Sequence, residues 1–61
     1  MTTAELKDWF DSVYGPMTEE QIRLALSKEH IAYNTPNLPL SVKLTHIQNI
    51  QHYNRRLSVY K

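Results

Sequence analysis

Thr2 stands three residues before Glu5, and Thr18 three residues before Gln21, so the first half of this chain carries the same helix-opening signature twice. In such a capping box the Thr hydroxyl accepts the backbone N–H three residues on, and the Glu or Gln side chain reaches back to the N–H of the cap. Met1 with Leu6, and Met17 with Ile22, fill the flanking staple positions. Gly15-Pro16 lies between the two signatures. Gly tolerates the backbone that ends a helix, and Pro cannot continue one. Two short helices joined by a tight break are therefore required of the first half.

The apolar spacing agrees. Leu6, Trp9, Phe10, Val13 and Tyr14 recur at helical intervals, which predicts a first helix over about 3–14. Ile22, Ala25 and Leu26 continue a narrower stripe in a second helix over about 18–30, with Glu19 and Glu20 at its positive end. Residues 31–40 contain Pro36, Pro39, Asn34 and Asn37 and read as an ordered connection. Ile31, Tyr33, Leu38 and Leu40 in that stretch are expected to lie over the core, and Thr35-Pro36 to cap a short helical turn. A third helix over about 41–57 presents Leu44, Ile47, Ile50, Tyr53 and Leu57 on its apolar side. The expected architecture is all-α, one compact three-helix domain over 1–61. Its expected core is Leu6, Trp9, Phe10, Val13, Ile22, Leu26, Leu44, Ile47 and Ile50.

Size limits what such a domain can do. With 61 residues, 41% of them hydrophobic, and no Cys, it buries only roughly 60% of its unfolded surface and has neither disulfides nor thiolate metal sites as staples. Helix packing, self-association or a partner must stabilise it. A substrate cleft needs more wall than this chain supplies, so the expectation is a non-enzyme without a cofactor. No segment approaches the ~20 apolar residues of a membrane span, and no secretory leader is evident, so a soluble cytoplasmic protein is expected. Ser12, Ser27, Ser41 and Ser58 fall in no nucleophile motif. His30, His46 and His52 lack Cys partners and a shared helical face, which argues against a metal centre. His46 beside the apolar stripe reads as a boundary residue that packs.

Charge is unevenly spread. Residues 1–30 hold Glu5, Asp8, Asp11, Glu19, Glu20 and Glu29 against Lys7, Arg23 and Lys28, a balance of −3. Residues 31–61 hold Lys43, Arg55, Arg56 and Lys61 and no acid, a balance of +4. The side of the third helix opposite its apolar stripe carries Thr45, Gln48, His52, Arg55 and Arg56, with Gln51 and Asn49 at its edges. Gln and Asn suit adenine edges, Arg suits guanine, and Lys suits phosphate. The functional expectation is a small DNA-binding regulator that meets duplex through Gln48, Gln51, His52, Arg55 and Arg56, with Lys43 and Lys61 on phosphates. The plain alternative for the same residues is the solvated face of an amphipathic helix. Asn54-Arg55-Arg56 is similar to the Asn-Arg-Arg run of homeodomains, but Gln51 and His52 replace that family's Trp-Phe core pair, so the likeness is not adopted.

A second functional expectation is a protein-interaction module or inhibitor that docks on a larger protein partner. Asp8 and Asp11 share a side of the first helix, and the aromatic residues exceed what a tiny core can hide. Tyr60 is expected to be the most exposed of them. Spare apolar residues at 31–40 and 53–60 also suggest a homodimer.

Overall fold

The computed structural model describes residues 1–60. Three helices follow in order: α1, Thr3–Tyr14; α2, Glu19–Tyr33; α3, Leu40–Leu57, which runs into a 3-10 turn, Ser58–Tyr60. No strand occurs among the described residues. The all-α, three-helix reading holds. None of the helices is long and apolar enough to cross a membrane among the described residues.

Both capping boxes form. Thr2 Oγ1 accepts the Glu5 N–H at 3.1 Å, and Thr18 Oγ1 accepts the Gln21 N–H at 3.1 Å. Glu5 and Gln21 return the bond from the N–H of Thr2 and Thr18, at 3.4 and 3.0 Å. Gly15 then ends α1 at φ 95°, its N–H donating to the Asp11 carbonyl at 3.1 Å. A side chain there would meet only open space, so the requirement for Gly is one of backbone conformation.

α2 runs three residues beyond its predicted end. Ile31, Ala32 and Tyr33 are helical, and the connection shrinks to residues 34–39. Local bonds explain the extension: the Asn34 N–H donates to the His30 carbonyl at 3.1 Å, and the Thr35 hydroxyl reaches the Ile31 carbonyl at 3.4 Å. Thr35-Pro36 caps no further helical turn. Asn37 takes the positive φ of 65° that reverses the chain, a conformation Asn tolerates better than most residues. α3 starts without a side-chain cap, its first N–H groups of Val42 and Lys43 donating to the Pro39 carbonyl at 3.1 Å.

α2 and α3 pack against each other as the main helix pair, and α1 rests on the 3-10 turn that follows α3. The molecule measures 40 × 19 × 18 Å. The expected core is only partly realised. Phe10 and Ile22 are buried, Leu6, Leu26, Ile47 and Ile50 are half-buried, and Trp9, Val13 and Leu44 are exposed. Ile31, Tyr33 and Leu40 also stay exposed, and only Leu38 of the connection is half-covered. The physical reason is the thinness of the domain, 19 × 18 Å across, which leaves part of each apolar stripe facing solvent.

Candidate interaction surface

The third helix keeps Ile47, Ile50, Tyr53 and Leu57 of its predicted apolar side half-buried, but its inward surface also takes in Arg56 and His52. Arg56, expected on a DNA-facing surface, is 2% exposed. Its Nη2 donates to Asp11 Oδ1 at 3.0 Å and to the Gly15 carbonyl at 2.8 Å. The guanidinium carbon also lies 6.0 Å from the centre of the Phe10 ring. Phe10, Ile22, Arg56, Val59 and Tyr60 converge with Lys7 and Asp11 on one closely packed spot. Arg56 is a structural clamp between the end of α3 and the end of α1. It is withdrawn from the proposed nucleic-acid set because a guanidinium bonded twice inside the protein has no free fork for a base or phosphate.

His52, expected on the same solvent-facing side, is only partly exposed. It is half-buried against α1, its ring 4.4 Å from Tyr14 and 6.0 Å from Phe10, both edge-on. Tyr53 stands 5.3 Å away on its other side. Burial, and next the Arg56 and Arg55 cations, push the imidazole below its ordinary value, so the neutral ring is favoured. Lys61 lies outside the described residues. Gln48, Gln51 and Arg55 are exposed in one row at i, i+3 and i+7 of α3, and Lys43 is half-exposed.

Two ion pairs join the acidic half of the chain to the basic half. Asp11 of α1 pairs with Arg56 of α3, and Glu29 Oε2 of α2 meets His46 Nδ1 of α3 at 2.6 Å. Asp11 also takes the Lys7 ammonium at 2.8 Å, one helical turn back. That bond, ahead of Arg56, holds the Asp11 carboxyl below the usual carboxylate range, and Asp11 in turn raises Lys7. Tyr60, expected to be exposed, is half-buried and its hydroxyl donates to the Met17 carbonyl at 3.2 Å. It closes one side of an open groove of about 500 Å³ whose walls include Lys7, Pro16, Met17 and Gln21. No group of three His, Asp or Glu side chains able to hold a metal occurs among the described residues.

The exposed surface also carries apolar side chains. Leu24 and Ile31 are exposed at i and i+7 on the outer side of α2. Leu40 and Leu44 are exposed at i and i+4 on α3, Leu40 by 73%. On α1, Trp9 is 45% exposed, with Val13 and Tyr14 beside it. The rings of Trp9 and Tyr14 stand 5.9 Å apart edge-on, so these side chains form one patch. Periodicity alone did not find these surfaces, because it marks apolar residues and not which of them obtain a neighbour. The Asp11–Arg56 clamp carried one faint signal: every acid lies in residues 1–30 while residues 31–61 carry bases alone, which invites pairing between the halves. No known family matches the chain, and no curated protein or solved structure shows significant similarity to it.

Proposed function

We propose that this chain is a small protein-interaction module that docks on a larger protein partner through apolar helix faces. One observation carries the reading: Phe10 and Ile22 are the buried apolar side chains among the described residues, while Leu24, Ile31, Leu40 and Leu44 stand exposed on outer faces. Exposed aliphatic pairs at i, i+4 and i, i+7 are the anchors with which one helix meets a groove or another helix. Their burial on binding supplies the stabilisation that the small core lacks. The burial of Arg56, and the packing of half-buried His52 against Tyr14, leave fewer groups of α3 for the competing DNA-binding reading.

The test uses the purified full chain and the variant Leu40→Glu with Leu44→Glu, whose helical content is checked by circular dichroism. A partner retained from cell extract at physiological salt is purified and titrated against both. A defined complex that the double variant loses supports the module. Equal binding by both proteins, or no partner at all, overturns it.

A nucleic-acid surface is the second reading, favoured by the exposed row Gln48, Gln51 and Arg55 on a helix without any acid. It predicts a complex with random duplex DNA at low salt, and a salt dependence that Arg55→Ala flattens by about one slope unit. Absence of any complex at low ionic strength ends it.

A further inference from the structure

We infer that the exposed face of α1 seats a second copy of this chain in a two-fold dimer. This rests on the reading of the chain as an interaction module and names one partner for a face other than Leu40 and Leu44.

Area is the first argument. The chain exposes 4581 Å². A folded monomer of its mass, 7.2 kDa, is expected to expose only roughly 4,100 Å². The excess, doubled across two copies, approaches the about 1,000 Å² that separates a specific interface from a chance contact. The α1 patch is the part of the surface suited to supply it. Trp9, Val13 and Tyr14 are each about half exposed and contiguous, and Trp and Tyr are the side chains that most often anchor protein contacts.

Charge complementarity is the second argument, and it selects a second copy over an unrelated protein. A two-fold interface presents the same patch twice, so the patch must be complementary to itself. Glu5, Trp9 and Val13 lie at i, i+4 and i+8 along one row of α1, with the acid at the amino end. At the other end Tyr14 leans on His52, and exposed Arg55 is one helical turn beyond His52 on α3. A two-fold axis through the middle of the row crosses α1 antiparallel to its copy. Glu5 of each protomer is then carried toward Arg55 of its partner, with Trp9 and Val13 between them.

Sedimentation equilibrium at widely separated loading concentrations tests this with the full chain. The mass should climb from 7.2 kDa toward twice that value, and the fluorescence of Trp9 should shift to the red on dilution. Val13→Glu should weaken association about tenfold or more, because it places an unpaired charge at the centre of the contact. Circular dichroism verifies its helices. If Val13→Glu fails to fold, variants of the charged pair decide. Arg55→Glu should weaken association, and Glu5→Gln, which can still accept the Thr2 N–H of the capping box but carries no charge, should weaken it as well. A single 7.2 kDa species at every concentration overturns self-association. A dimer indifferent to these variants overturns the α1 face. Either result leaves docking through Leu40 and Leu44 to be judged by its own titration, which an unaltered partner complex of the Val13→Glu variant would separate cleanly.

Discussion

Arg56, on the last turns of α3, donates to Asp11 of α1 at 3.0 Å across 45 residues of chain and is almost wholly removed from solvent. The bond joins the helix that packs least, α1, to the α2–α3 pair. The second bond from the same nitrogen reaches the Gly15 carbonyl, at the very break between α1 and α2. One side chain thus fixes both the position of α1 and the course of the chain leaving it.

Replacing Arg56 by Ala should therefore cost about 2–4 kcal/mol, the scale for removing a buried, charge-assisted hydrogen-bonding group and the packing of its stem. Arg56→Lys should recover little, because an ammonium lacks the planar fork. Urea denaturation followed by circular dichroism measures both. An Arg56→Ala protein as stable as the parent would show that the clamp contributes nothing.

Trp9 and Phe10 are neighbours in sequence with opposite fates. Phe10→Ala should cost about 3–5 kcal/mol, the range for a buried aromatic. Trp9→Ala should cost the monomer about 1–2 kcal/mol, since roughly half of its surface is already wet and only the buried part is lost. Measuring both at low protein concentration keeps self-association out of the comparison. A larger loss at Trp9 than at Phe10 would contradict the packing described.

Stability should fall on the acid side in two stages. His52 is depressed from 6.5 by burial and by Arg56 and Arg55, so the folded state prefers the neutral ring. No penalty exists above 6.5, and stability declines as pH drops from there through the lower folded value. His52→Gln should abolish this first limb. Asp11, depressed from 3.8 chiefly by Lys7, contributes fully above 3.8. That contribution disappears as pH falls through its own lower folded value, and Asp11→Asn should remove the second limb. Melting temperatures across the acid range check both, and a profile unchanged by His52→Gln would refute the first.

Gly15→Ala isolates backbone strain. With open space around the would-be side chain, the cost comes from holding a Cβ-bearing residue at φ 95° and ψ 147°. About 1–3 kcal/mol is expected, with the hydrogen bond to Arg56 retained. A neutral result in thermal melts would mean that the break relaxes to another conformation.

The helix starts were legible because capping is local: Thr2 with Glu5 and Thr18 with Gln21 satisfy donors three residues away, whatever the rest of the chain does. The end of α1 at Gly15-Pro16 was legible for the same reason. The end of α2 was not. Ile31, Ala32 and Tyr33 have no strong helical pattern, and bonds from Asn34 and Thr35 carried the helix through them.

By itself, then, the sequence determined three helices, where two of them begin, and where the first stops, because those outcomes rest on interactions within a turn or two. Only the tertiary structure decided how far the inward side of α3 extends and which residues at its limits are covered. Leu44 and Arg56 exchanged their expected places because burial depends on which neighbours arrive, and the carboxylate of Asp11 and the carbonyl of Gly15 arrived beside Arg56. A buried Arg held by two acceptors from a distant helix leaves no periodic mark in the chain, and neither does a Leu that finds no partner.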